Sequence, residues 1–146
     1  MKKPVKYLAM LLILLLFLAG CSKAKTGMYL GQDLFLEEDR VIKIHAPEGT
    51  ILKLGKTYKY SYNEVMTSLP PQATVNKVIN AKARQPYITK DLAKEIFEYT
   101  DARLVKFGDN LTNLPRDTII VVNEHTRGAE VLRENGFKIV LEIKEE

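Results

Sequence analysis

The polar segment 123–128 carries the side chains best suited to chemistry. His125 lies next to Glu124 and could transfer a proton near neutral pH, and Arg127 could bind a carboxylate or a phosphate. An apolar strand is predicted before this segment and a helix after it, and ligands of parallel α/β sheets bind at the carboxyl ends of strands. The segment is therefore a candidate catalytic site. The alternative is an ordinary solvated loop in which Thr126 caps the helix.

Motifs for metal binding or nucleophilic catalysis are not evident in the sequence. A zinc site would need His45 and His125 to meet an acid such as Glu124 or Asp101, and no spacing resembles a metal motif. There is no Gly-rich phosphate loop and no Gly-x-Ser-x-Gly elbow. We expect no metal and no cofactor, and the sequence leaves enzymatic activity open while favouring its absence.

Three tyrosines alternate along one predicted strand. Tyr58, Tyr60 and Tyr62 would share one face of it, with polar residues on the other face. Such a row could form a flat platform on which a glycan stacks. Tyrosine is also a favoured strand residue that packs its ring in a core or against a neighbouring strand. The sequence favours packing and keeps the row as a candidate binding surface.

Alternating apolar residues predict a small antiparallel β-meander in the first half of the folded region. The predicted strands include 40–46, 50–54 and 57–62, and turn residues lie between them. A seam is expected at 69–71, because two adjacent prolines supply no backbone donors and disfavour helical geometry before them.

Helical and strand patterns alternate in the second half. Helices are expected at about 75–85, where residues 74 and 75 would also suit a strand, at 89–100 with Thr89 as N-cap, and at 126–135. Strands are expected at 103–107, 118–122 and 137–143. The predicted fold class is α+β: a small antiparallel β-meander, then helices, then a C-terminal strand–helix–strand unit, within a single domain over 32–146.

Charge and cysteine content exclude several classes of function. The formal charge of +4 includes Lys2, Lys3 and Lys6 near the N-terminus, and the remaining chain holds 19 basic and 18 acidic residues. This balance gives no case for nucleic-acid binding. Cys21 is the only cysteine, so the fold cannot contain an internal disulfide.

Residues 1–20 have the three-part plan of a secretory signal. Three lysines precede an apolar run over 7–19, and a small residue, Gly20, follows it. A helix that spans a bilayer needs about 20 apolar residues, which is more than this run provides. A cleaved leader is therefore favoured over a permanent transmembrane helix.

The residues Leu18, Ala19, Gly20 and Cys21 resemble the lipobox of bacterial lipoproteins. The resemblance covers residues 1–22 and implies that the leader is removed before Cys21, which carries a diacylglyceryl group. Two or more acyl chains hold a protein stably at a membrane. We therefore expect lipidated Cys21 and a flexible tether over 21–31, and a protein anchored on the extracytoplasmic face of a bacterial membrane, with the cell membrane slightly favoured over an outer membrane.

The sequence favours a membrane-anchored binding or interaction module. Its expected partners are the membrane, through the lipid on Cys21, and another envelope protein or a surface polymer, which it would contact through the meander face or through 123–128. The alternative is a cell-envelope enzyme, such as a hydrolase of cell-wall polymer, that uses Glu124, His125 and Arg127.

Overall fold

A computed structural model describes residues 24–84, 86–106, 108–123 and 126–144 as ten strands and two helices. The strands are β1 (Ala24–Gly31), β2 (Leu34–Leu36), β3 (Val41–His45), β4 (Thr57–Ser61), β5 (Gln72–Thr74), β6 (Ile79–Asn80), β7 (Tyr87–Ile88), β8 (Arg103–Val105), β9 (Ile119–Val122) and β10 (Ile139–Ile143). The helices are α1 (Lys90–Tyr99) and α2 (Thr126–Glu134). Among the described residues ten strands stand against two short helices, so this part of the chain is mainly β, and the predicted α+β class is wrong.

Six strands form a curled mixed sheet in the order β5-β3-β2-β1-β4-β6. The strand β1 pairs antiparallel with both β2 and β4, whereas β3 pairs parallel with β5. One apolar cluster within this sheet joins Phe35, Ile42, Ile44, Tyr58, Tyr60, Ala73 and Val75. This mixed sheet differs from the expected meander. The main difference is its central strand, β1, which the sequence did not predict.

Strand β1 occupies most of the segment that was expected to be a flexible tether. Met28 and Leu30 are buried in the core, whereas Tyr29 between them is half-buried. Ala24 pairs with Ser61, at the end of β4. The segment 50–54, predicted as a strand, is instead a loop in which Thr50 donates two hydrogen bonds to the carbonyl of Pro47.

The predicted helix at 75–85 is also wrong. Val75 is buried, and Ile79 and Asn80 form strand β6 on the edge of β4. Valine and isoleucine lose side-chain freedom in a helix and pack well on a sheet. The nearby edge of β4 therefore makes a strand more favourable than a helix in this segment. The predicted seam at 69–71 falls within the connection between β4 and β5 of one sheet, where the Leu69–Pro70 peptide is cis.

The other four strands form a parallel sheet in the order β7-β10-β9-β8. The strands β9 and β10 pair in parallel, from Ile139 opposite Ile119, and α2 connects them as a strand–helix–strand unit. Helix α1 begins after Thr89, whose side chain accepts a hydrogen bond from the backbone of Leu92. Neither helix of the described residues is long and apolar enough to span a bilayer.

A shared apolar core joins the two sheets. Side chains of β1 to β3 meet side chains of α1 and of the parallel sheet in this core, which contains Met28, Leu30, Leu34, Leu36, Val41, Ile88, Leu92, Ala93, Ile96, Ile119, Val121, Ile139 and Leu141. The opposite face of the parallel sheet packs against α2, where Ala129 and Leu132 contact the cluster of Ile120 and Val140.

Candidate functional site

The segment 123–128 lies at the carboxyl edge of the parallel sheet, where β9 ends at Val122 and α2 begins at Thr126, as the sequence predicted. Glu124 and His125 lie outside the described residues, as does the side chain of Arg127. Asn123 and Gly128 flank them and are exposed. The backbone therefore places the segment at the expected edge, while the catalytic roles of these side chains stay predictions.

Glu142 is a buried acid at this same edge. It lies in register with Val122, the last residue of β9, and with Tyr87 of β7. Because strand residues alternate, it shares the face of Val140, which packs against α2. It is only 5% exposed, and within the described part of the chain its Oε1 has no hydrogen-bond partner. Burying a polar group without a partner is costly, so Glu142 is a candidate functional residue.

The sequence analysis did not identify Glu142, because a single acid in the apolar segment of β10 is expected to face solvent. The signal that could have found it is the type of strand. A central strand of a parallel sheet is covered on both faces, so an acid within it is buried whichever way it points.

A cleft of about 450 Å³ opens between the two sheets, at the amino edge of the parallel strands. Asp101 and Asp117, which precede β8 and β9, line it together with Glu98 at the end of α1. The turn from β1 to β2 supplies Gln32 to the wall. Three carboxylates beside an apolar floor that includes Leu30 would attract a partner carrying basic groups.

The β1–β2 turn at this cleft has an uncommon backbone. Gln32 and the next residue, Asp33, have φ angles of 52° and 63°, which is the left-handed region that favours glycine or asparagine. Gly31 pairs with Leu34, so the two residues form a tight hairpin turn. This turn conformation places Gln32 in the wall of the cleft.

The tyrosine row predicted on β4 lies mostly in the core. Tyr58 and Tyr60 are buried, as the packing alternative predicts, and Tyr62 is half-buried with its ring stacked on that of Tyr60 at 6.2 Å between centroids. Two of the three rings therefore have no open face for a glycan.

The hydroxyls of this row bind a buried carboxylate. Tyr60 donates a hydrogen bond of 2.7 Å to Oε2 of Glu37, and Tyr62 donates one of 2.9 Å to Oε1. Arg40 lies 3.3 Å from Oε1 of Glu37 through its Nε and donates through Nη2 to the hydroxyl of Tyr62 at 2.6 Å. These four side chains form one closed network at the end of the curled sheet where β1 begins.

The pKa values of three members of this network are shifted. Burial raises the pKa of Tyr60 well above its ordinary value, and the carboxylate of Glu37 raises it further. Burial also raises the pKa of Tyr62, against the hydrogen bond from Arg40, which lowers it. Burial lowers the pKa of Arg40, but bonding to Tyr62 and Glu37 outweighs this and the net direction is upward. Structural ion-pair networks shift pKa values as active sites do, and this one has a structural role.

Metal binding has no support in the described ranges, which contain no group of three or more His, Cys, Asp or Glu side chains able to hold an ion. His45 instead lies with its Nε2 2.8 Å from Oε1 of Gln72 and links β3 to β5. Comparison with protein-family models, with curated proteins and with solved structures finds no match to this chain. Function is therefore inferred from the residues of the chain itself.

Proposed function

We propose that this protein is a bacterial lipoprotein, cleaved before Cys21 and held by lipid on the extracytoplasmic face of the cell membrane. Its exported domain is a binding module for another envelope protein or a surface polymer. The observation that carries the proposal is the sequence from Leu18 to Cys21, which matches a lipobox at all four positions and ends three residues before β1.

The geometry of β1 supports a binding module with two distinct ends. Ala24 begins the strand beside the lipobox, and Gly31 ends it at the acidic cleft. The seven steps from Ala24 to Gly31, at about 3.3 Å each, separate these ends by roughly 23 Å. An anchor at Cys21 would therefore join the domain at the end of β1 that is remote from the cleft.

The chemistry of the cleft defines the class of partner. Its described lining contains three acidic residues, Glu98, Asp101 and Asp117, and no lysine or arginine, a composition that favours the approach of basic groups. We expect a protein segment rich in lysine or arginine, or a polymer that carries amino groups.

Lipidation is tested by Cys21→Ala in a lipoprotein-processing bacterium fed with labelled fatty acid. The unchanged chain should incorporate the label and lose the mass of residues 1–20, and the variant should do neither. Ser22→Ala keeps the lipobox residues and is the matched control, which should be labelled and cleaved. A labelled and cleaved Cys21→Ala protein would contradict the proposal.

Binding is tested by chemical cross-linking of the full chain in whole cells, followed by its purification. The variant Asp101→Asn with Asp117→Asn should capture less of its partner than the unchanged chain does, because the potential of the cleft falls. Glu130→Gln removes an exposed acid on α2, outside the cleft, and should leave capture unchanged. Equal capture by both variants would show that the cleft is not the binding surface.

One observation favours a second candidate function, a cell-envelope hydrolase acting on cell-wall polymer. The buried Oε1 of Glu142 has no partner among the described residues and lies at the edge where 123–128 follows β9. Glu142→Gln keeps the shape of the side chain and removes its proton chemistry. Loss of fragment release from purified wall polymer at an unchanged Tm would support this function. Equal release by both proteins, or none by either, would contradict it.

A further inference from the structure

The carboxyl edge of the parallel sheet carries an exposed aromatic side chain beside the buried carboxylate of Glu142. Tyr87 is 44% exposed and lies in register with Glu142 on the neighbouring strand. Residues in register on neighbouring strands project from the same face of a sheet, and such strands lie about 4.8 Å apart. The side chains of Tyr87 and Glu142 therefore leave the sheet side by side, on the face that packs against α2.

The apolar cover of this face does not extend to Tyr87. The cluster beneath α2 takes its sheet residues from β8, β9 and β10, with Val105, Val122 and Val140 among them. Among the described strands, β7 has a neighbour on one side only, because it lies at the edge of the sheet. A ligand can therefore approach the ring of Tyr87 from the open side of β7.

The surroundings of Glu142 favour a neutral ligand that donates a hydrogen bond. Its Oε1 is buried and has no partner within the described ranges, and such a group is stabilised by a donor. Lys144 is exposed and lies on the same face, because its backbone continues the ladder with β7. Helix α2 begins four residues after Val122, and its N-terminus carries a partial positive charge. These positive groups disfavour a cationic ligand at this edge.

We infer that Tyr87 and Glu142 form a subsite for one pyranose ring of a neutral surface glycan. The apolar C–H face of the sugar lies on the ring of Tyr87, and a hydroxyl of the sugar donates to the carboxylate of Glu142. The terminal torsion of a glutamate is soft and roughly two-fold, so either oxygen can turn toward the ligand.

This inference rests on the proposed function in one respect, which is that the exported domain meets a surface polymer. It adds the chemical class of that polymer and a second place of contact. The subsite lies at the carboxyl edge of the parallel strands, whereas the acidic cleft lies at their amino edge. It requires no cleavage of the glycan.

The test is saturation-transfer NMR on the full chain, produced in a lipoprotein-processing bacterium and purified in a detergent without sugar groups. The probes are cellotetraose and chitotetraose, and choline serves as a cationic probe. Saturation of the tyrosine ring protons should pass to the C–H protons of at least one tetramer and not to choline. Titration of that tetramer gives its Kd.

Two positions separate stacking from hydrogen bonding. Tyr87→Ala should raise the Kd about tenfold, because the aromatic surface is lost, whereas Tyr87→Phe keeps the ring and should bind like the unchanged chain. Glu142→Gln should raise the Kd about five- to tenfold, since a charged acceptor binds a donor roughly twice as strongly as a neutral one.

The matched control is Phe97→Ala. Phe97 is aromatic and 38% exposed, and it lies on α1, which packs on the opposite face of the parallel sheet. This variant should bind the tetramer with an unchanged Kd. Thermal unfolding of every variant is measured first, and the exposed position 87 provides the decisive comparison if Glu142→Gln does not fold.

Three results would overturn the inference: transfer to neither tetramer, transfer to choline alone, or a Kd that Tyr87→Ala leaves unchanged. A lipidated chain that captures its partner through the acidic cleft and gives one of these results loses the subsite and keeps the proposed function. Conversely, a chain without lipid that binds a tetramer through Tyr87 supports the subsite and overturns the proposed function. The variant Asp101→Asn with Asp117→Asn should leave the Kd unchanged, because the cleft and the subsite are separate.

Discussion

The hydroxyl of Tyr60 reaches across strand β1 to donate a hydrogen bond to Glu37, 23 residues earlier in the chain. The crossing is open because residue 27 of β1 is glycine, and a Cβ there would clash with this hydroxyl. The bond therefore ties β4 to the end of β2, with Gly27 as the gap through which it passes. Three of our predictions concern this arrangement.

Tyr60→Phe should lower the free energy of unfolding by about 1.5–3 kcal/mol, the range for a hydrogen bond to a charged group. The substitution leaves the ring in place and removes a donor from a buried carboxylate. Urea denaturation measures the change. Tyr29→Phe is the control. The ring of Tyr29 also packs on Phe35, but its hydroxyl is not one of the hydrogen-bond donors to Glu37. Equal losses for the two variants would contradict this role of the bond.

Stability should fall above about pH 10. Burial, reinforced by Glu37, raises the pKa of Tyr60 above its ordinary value of 10.0, so the folded chain keeps a proton that the unfolded chain releases. The stabilisation is complete below pH 10 and is lost as the pH rises toward the folded pKa, by up to about 1.4 kcal/mol per pH unit. Urea unfolding between about pH 8 and pH 11 measures the slope. Tyr60→Phe should flatten it, and an unchanged slope in that variant would exclude Tyr60 as its source.

Gly27→Ala should destabilise the protein by about 1–3 kcal/mol, because the added methyl group displaces the hydroxyl of Tyr60 from its path to Glu37. Gly128→Ala is the matched control. A Cβ at Gly128 has no neighbour within 4 Å, and alanine in a helix is favoured over glycine by about 1 kcal/mol. Thermal unfolding should therefore move in opposite directions for the two variants. A Gly27→Ala protein that unfolds at the unchanged temperature would show that the hydrogen bond from Tyr60 to Glu37 does not require glycine at position 27.

Gly55→Ala should cost more than Gly49→Ala. Both glycines have positive φ angles, of 78° and 84°, so alanine at either position costs about 1–2 kcal/mol in backbone strain. Only at Gly55 would the new Cβ also clash, against the carbonyl oxygen of Lys138, just before β10. We expect a further 1–3 kcal/mol, about the usual cost of overpacking. Equal Tm values for the two variants would show that this contact between the sheets is loose.

The parts of the fold that could be predicted are those decided by near neighbours in sequence. The strands β3 and β4 follow from the alternation of apolar and polar residues. Helix α1 begins after Thr89 because the side-chain oxygen of Thr89 accepts a hydrogen bond from the backbone of Leu92, three residues later. Each of these signals lies within one short window of residues.

The parts that failed are decided by distant partners. The segment 24–31 begins with small and polar residues and reads as a linker, but it becomes a central strand because β2 and β4 offer backbone partners on both sides. Likewise Ile79 joins the edge of β4 rather than a helix. Pairing over such distances depends on the whole sheet, and no local window contains it.

The candidate site divides in the same way. The connection at 123–128 was predicted, since apolar strand, polar loop and helix follow one another in the chain. Glu142 was not, because its burial depends on β7 and β9, the neighbours on either side of β10. The acidic cleft is likewise assembled from Glu98, Asp101 and Asp117 with a turn of the other sheet.

The place of β10 between β7 and β9 has a consequence for biosynthesis. Translation delivers the chain from its N-terminus, so β7, β8 and β9 all leave the ribosome before the strand that lies between two of them. The parallel sheet cannot close until residues 139–143 have emerged, because β10 is the last of the described strands to be made. For the export proposed above, which needs an extended chain, this order keeps the parallel sheet open until its last described strand has been made.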